Sequence, residues 1–164
     1  MDQKQKVAFL GAGSMAEAMI SGMVNAKKLP AENIIVTNRS NDARLHELEN
    51  RYGIKAVKRS ELKTDDIDVF ILAMKPKGAE EALNELKPQI NKDQLVLSVL
   101  AGISSSYMEE LLHDEQQVIR VMPNTSSMIQ QSATAISPGQ YAAMDAVLTA
   151  KELLSAIGKV YVID

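Results

Sequence analysis

The stretch Lys6 to Val24, KVAFLGAGSMAEAMISGMV, decides how the rest of the chain is read. Four apolar residues, Val7 to Leu10, stop at Gly11; Gly13 and Ala16 complete the pattern G-x-G-x-x-A, and apolar positions then resume at helical spacing. A buried strand, a tight turn and a helix are thus expected to follow one another without a spacer. Gly11 permits the turn, Gly13 lets a pyrophosphate approach the main chain without meeting a Cβ, and Ala16 lets the helix lie close to the strand. Free N–H groups and the positive end of the helix dipole would face the phosphates. A glycine-rich turn that binds nothing has the same local sequence, but its place between a first strand and a first helix favours a dinucleotide site. Ser14 reads as a hydrogen-bonding residue of the helix N-terminus, because no histidine or acid is placed to activate it as a nucleophile.

Outward from this unit, Val/Ile/Leu-rich runs alternate with segments of helical period, the signature of βαβ units and a parallel sheet. Strands are expected at Lys6 to Leu10, Asn33 to Thr37, Asp68 to Ala73, Gln94 to Val99 and Val118 to Met122. Most are apolar at nearly every position, as strands covered on both faces must be. Helices are expected at Ser14 to Ala26, Asn41 to Tyr52, Gly78 to Lys87 and Ser104 to Leu112. In the second, Leu45 and Leu48 share a face while His46, Glu47, Glu49 and Arg51 point elsewhere, and Gly53 is a C-terminal stop. Ser104 to Ser106 form an N-cap cluster. Met15, Met19 and Met23 read as core packing. Beyond Met122 the pattern loosens, then predicts a strand at Ala133 to Ile136, a helix from about Gln140 to Ile157 and a strand at Lys159 to Ile163. The fold class is α/β: a Rossmann-type, doubly wound, mainly parallel sheet with helices on both faces, in one domain spanning 1–164.

Composition narrows the partners. A net charge of −3 with scattered basic residues leaves no electrostatic footprint for nucleic acid or an anionic membrane, so small molecules are the expected ligands. The absence of cysteine excludes disulfides, thiolate metal sites and a cysteine nucleophile. No apolar run approaches the ~20 residues that span a bilayer, and the N-terminus lacks the apolar core of a signal peptide, so a cytoplasmic protein is expected. No metal-binding motif occurs, and His46 and His113 fall on separate expected helix surfaces. No acid/base pair stands at the strand ends, so no catalytic or metal-ligating residue is assigned.

Where an NAD site offers an acid to the ribose, the second strand ends in Asn38, Arg39 and Ser40, with no acid before Asp42. A forked guanidinium suits the 2′-phosphate of NADP, and an amide and a hydroxyl can share its oxygens. NADP(H) is the expected cofactor, with NAD(H) second; Arg39 as a solvated turn residue is the alternative. Three further strand ends reach the same edge. Ala73, Met74, Lys75 and Pro76 form one, with Pro76 holding Lys75 extended. Ala101 and Gly102 form the next, and Asn124 after Pro123 the third.

In order and spacing, the segments FLGAGSMAEAMISGM, NRS, ILAMKP, LSVLAGIS, VIRVMPNT, SATAI and LLSAIGKVYVID resemble the amino-terminal domain of pyrroline-5-carboxylate reductase. The resemblance covers nearly the whole chain. It implies a role in proline biosynthesis, reduction of a cyclic imine with NAD(P)H, and a cofactor surrounded by Gly11, Ala12, Gly13, Ser14, Met15 and Ala16, by Asn38, Arg39 and Ser40, by Ala73 to Pro76, and by Ala101 and Gly102. After MPNT the chain departs from the usual pattern, carrying Ser126, Ser127, Gln130, Gln131 and Ser132 where proline and glycines are common. The resemblance further implies that the family's helical domain, which makes a homo-oligomer and holds the substrate, is absent, so that these residues bind cofactor with little or no turnover and leave apolar surface exposed between about Gln140 and Ile163. Alternatives are the cofactor domain of a β-hydroxyacid dehydrogenase or coenzyme F420-dependent reductase, and a nucleotide-sensing module without chemistry.

Overall fold

Alternation of side chains along each strand builds two cores from one sheet. In β1 (Val7–Leu10), Val7 and Phe9 face one side and Ala8 and Leu10 the other, and all four are buried. The computed structural model describes residues 5–123 and 133–163. The order along the chain is β1, α1 (Ser14–Asn25), β2 (Ile34–Asn38), α2 (Asp42–Tyr52), β3 (Lys55–Lys58), β4 (Val69–Leu72), α3 (Ala79–Leu86), β5 (Leu95–Ser98), α4 (Ser105–Leu111), β6 (Gln117–Pro123), β7 (Ala133–Pro138), α5 (Met144–Leu154) and β8 (Lys159–Val162). Among the described residues, eight strands form one sheet in the order β3-β2-β1-β4-β5-β6-β7-β8, parallel except where β7 runs against β6. The first six positions follow the doubly wound order, with the reversal between β1 and β4. That reversal leaves a crevice at the carboxyl ends of β1 and β4, where a ligand of such a sheet binds.

Helices α1, α2 and α5 cover the Val7/Phe9 face with Met19, Ile20, Met23, Leu48, Leu153 and Leu154. Helices α3 and α4 cover the Ala8/Leu10 face with Leu83, Leu86 and Met108. Met19 and Met23 are fully buried, as the core reading of the methionines expects. Gly53 closes α2 with φ 73°, and the Ser104 hydroxyl caps α4 by accepting from the Tyr107 amide.

Four expectations are corrected. A short strand, β3, lies where the sequence suggested none: its pattern is exposed at both lysines and half-buried between them, because it is the sheet edge. Helix α5 starts at Met144 rather than about Gln140, because Gln140 and Ala142 donate their amides to Glu109 and Gly139 and so form a turn. The helix also passes into a 3-10 turn at Ser155–Ile157. His113 lies past α4 rather than on a helix, its Nε2 2.7 Å from the carbonyl oxygens of Lys87 and Ile90. The expected apolar exposure near the end of the chain is present: Met144 and Leu148 on α5, Tyr161 and Val162 on the edge strand β8, and Ile163 just past it are exposed. No helix among the described residues is long and apolar enough to cross a membrane.

Candidate dinucleotide site

The glycine loop is set by contacts on three sides. The Gly11 amide donates to Thr37 of β2, the Ala73 amide donates to Leu10, and Gly11 itself has φ 119°. A Cβ on Gly11 would lie 2.5 Å from the backbone of Ala73 and Met74. Gly11 therefore serves both the turn and the close passage of the β4 end. Gly13 differs: a Cβ there would meet nothing within 4 Å, so its missing side chain leaves open space in front of the loop rather than room for a protein neighbour. Helix α1 carries no side-chain cap at Gly13, and its leading N–H groups have no intrahelical partner by geometry. Ala16 is fully buried in the core beneath, while Ser14 is exposed and Met15 half-buried.

From behind, α2 braces the loop through its own arginine. Arg44 Nε donates to the Ala12 carbonyl at 2.7 Å and Nη2 to the Gly13 carbonyl at 3.3 Å. Holding both carbonyls on this side leaves the amide side of the loop toward the cleft. Arg44 is in turn gripped by Glu17 at 2.8 Å and by Glu47. Glu17 also accepts from the Tyr52 hydroxyl at 2.6 Å and from Arg51 at 2.5 Å. The Tyr52 hydrogen bond first, and then the Arg44 and Arg51 bonds against the opposing effect of burial, hold the Glu17 carboxyl down at about 2. Sequence reading missed Arg44 and Glu17, since each alone is one more charged helix residue.

A cleft of about 350 Å³ opens over the loop. Of the sequence-expected site residues, it brings together Gly11, Ala12, Gly13, Asn38, Arg39, Ala73, Met74 and Lys75, and adds Arg59, Lys77 and Gly78. Its lining thus holds four cations, Arg39, Arg59, Lys75 and Lys77, and no acid. Lys75 is extended at ψ 142°, as the following proline dictates. Ser14, Met15, Ala16, Ser40, Pro76, Ala101 and Gly102 do not line this cleft; Ser40, Pro76, Ala101 and Gly102 are exposed near strand ends. Asn124 and the stretch Ser126 to Ser132 lie outside the described residues.

Asn38 and Arg39 have partners that the sequence did not announce. Asn38 uses its amide on Asn41, donating to the carbonyl at 2.9 Å and accepting from the amide at 3.1 Å, so it shapes the β2–α2 turn. Arg39 donates to Glu81 of α3 at 2.5 Å. Arg59, just past β3, is far less exposed than Arg39, and burial followed by the neighbouring Arg39 charge is unfavourable to its cation, partly offset by Glu85. Finding Arg59 from sequence required β3, the one strand the pattern did not reveal. Arg39 and Arg59 also line a second cavity of about 350 Å³ between α3 and the chain from Ser60 to Thr64. Among the described residues, no cluster of His, Asp and Glu could hold a metal ion.

Residues 6–102 match the family described as NADP oxidoreductase, coenzyme F420-dependent. Among curated proteins, pyrroline-5-carboxylate reductase 1 of Bacillus subtilis is 60% identical over 162 residues, covering 99% of this chain and 54% of the relative. Pyrroline-5-carboxylate reductase 2 of the same organism is 44% identical, covering 94% of this chain and 55% of the relative. The chain therefore spans about half the length of the curated relatives it matches. Among solved structures, a pyrroline-5-carboxylate reductase from Coxiella burnetii superposes with a TM-score of 0.86 at 26% identity, covering 98% of this chain and 59% of that one.

Proposed function

Because the chain belongs to the coenzyme F420-dependent NADP oxidoreductase family, we propose that it is the cofactor-binding part of a pyrroline-5-carboxylate reductase, one that holds NADP(H) in preference to NAD(H). The observation that carries the cofactor assignment is the cation-lined cleft in front of an uncapped α1 and an unobstructed Gly13. A dinucleotide pyrophosphate requires close main-chain approach and N–H donors, and the extra phosphate of NADP requires cations rather than an acid at the β2 end. The 60% identity to a named reductase supports the reaction and its place in proline biosynthesis. It favours the imine reductase over the β-hydroxyacid and nucleotide-sensing readings.

In this reading the bound nicotinamide supplies the hydride that reduces the C=N bond of pyrroline-5-carboxylate. The chain's own residues bind and orient. The α1 amides and Gly13 receive the pyrophosphate, Arg44 keeps the loop carbonyls turned away from it, and Arg39 neutralises the 2′-phosphate. Ser14, Met15, Ala16, Ser40, Ala73 to Pro76, Ala101, Gly102 and Asn124 complete the proposed binding set. An iminium carbon is electrophilic without a strong protein acid, so positioning accounts for the lack of a catalytic residue in the set. In this reading the imine site and the homo-oligomer contact lie outside the binding set named here. A cytoplasmic location follows from a biosynthetic role.

Calorimetric titration tests the cofactor reading directly. NADPH is expected to bind more tightly than NADH, and Arg39→Asp to abolish that preference by setting an anion against the phosphate. Equal affinities in the unaltered protein would remove the NADP assignment.

A further inference from the structure

The charges around the β2 and β3 ends do not balance as ordinary surface pairs. Glu81 and Glu85 stand one turn apart on α3 and face Arg39 and Arg59. The Arg39 side chain is 63% exposed, and its Nη2 donates to Glu81 Oε1 at 2.5 Å. The Arg59 side chain is only 13% exposed, yet its nearest carboxylate, on Glu85, lies 3.9 Å away, beyond a hydrogen bond. Its Nε–H is buried with no acceptor among the described residues. A guanidinium with a buried donor unmet is costly, and such a group in a cavity wall is where an acceptor is missing. Both arginines line the glycine-loop cleft and the adjoining cavity, so one ligand group can reach both.

The geometry points to a two-arginine phosphate site in which Arg59 is the largely covered half with an unmet donor, Arg39 the exposed half, and the Glu81 carboxylate a place-holder that the 2′-phosphate displaces. This rests on the NADP(H) reading and extends it to the residues that set the preference. The 2′-phosphate brings several acceptor oxygens and about two negative charges, which meets the Arg59 Nε–H and competes with a single carboxylate for Arg39. Glu81 then has a definite effect: it keeps Arg39 at the cleft in the empty protein and lowers the affinity for the phosphate it resembles. NAD(H), which has a hydroxyl at that position, gains from neither arginine in this way and loses nothing to Glu81.

The test is calorimetric titration of NADP⁺ and NAD⁺ into the unaltered chain and into Arg59→Gln, Arg59→Lys and Glu81→Gln. Arg59→Gln is expected to weaken NADP⁺ about tenfold or more while changing NAD⁺ by less than about threefold. Arg59→Lys, which keeps the charge without the Nε–H, should recover only part of the loss. Glu81→Gln is expected to strengthen NADP⁺ several-fold and leave NAD⁺ unchanged. Equal losses for both dinucleotides in Arg59→Gln would make Arg59 a structural residue and overturn the proposal. If Arg59→Gln fails to fold by circular dichroism, Glu81→Gln decides, and the absence of an NADP⁺-selective gain overturns it. Failure of the unaltered chain to bind either dinucleotide would instead sink the cofactor reading beneath it.

Discussion

At the scale of the residue, Gly11 and Gly13 look equivalent in sequence and are not equivalent in space. A side chain on Gly11 collides at 2.5 Å with the Ala73–Met74 backbone just past β4 and must also adopt φ 119°, so neither neighbour nor conformation can yield cheaply. A side chain on Gly13 enters open space at an ordinary φ of −85°. Gly11→Ala is therefore expected to lower thermal stability, by roughly 2 kcal/mol or more. Gly13→Val is expected to keep its circular dichroism spectrum and melting temperature within a few degrees while losing dinucleotide binding. Thermal denaturation of both variants, followed by titration of Gly13→Val with NADPH, checks the contrast. Undiminished binding by Gly13→Val would take the glycine loop out of the cofactor site. The two roles were legible only in part: G-x-G marks both positions, but the open space before Gly13 comes from strand and helix placement.

At the scale of the element, α1 and α2 are joined by the Glu17 network, and through Arg44 that network sets the loop. Glu17 is held at about 2 in the folded chain, below its unfolded value, so its contribution to stability is fully present above the unfolded pKa. It is lost as the pH falls from about 5 toward 2, when the unfolded state binds the proton first. Chemical denaturation across that window should show a decline of order 1–3 kcal/mol from this group, reduced from the full linkage value because the side chain is partly exposed. Glu17→Gln should flatten the decline and weaken dinucleotide binding at neutral pH, because Arg44 is left with Glu47 alone on its acidic side. An unchanged acid limb in Glu17→Gln would assign the pH dependence to other carboxylates. Sequence periodicity identified α1 and α2 as amphipathic helices; it carried no information on which charged residues of one would reach the other.

At the scale of the whole molecule, one sheet places a crevice at the β1/β4 reversal, and the proposed reading assigns that crevice to the dinucleotide. Steady-state assays with this chain, NADPH and pyrroline-5-carboxylate should show little or no NADPH oxidation, because effective molarity is lost when only one reactant is fixed. Turnover comparable per chain to a complete reductase would place the substrate site within these residues. The sequence by itself determined the α/β class, the strand–turn–helix unit at Gly11 to Ala16 and most of the element boundaries, because apolar periodicity and small residues act through local sterics and burial. Ala73, Met74 and Lys75 line the same cleft as the glycine loop, since parallel strands carry their following loops to one edge. Only the tertiary structure decided the edge strand β3, the Arg44 brace, the Arg39–Glu81 pair and the place of Arg59. The physical reason is that a charged side chain has no period: its partner is chosen by distance across elements far apart in the chain, and that distance exists only after the sheet has closed its order.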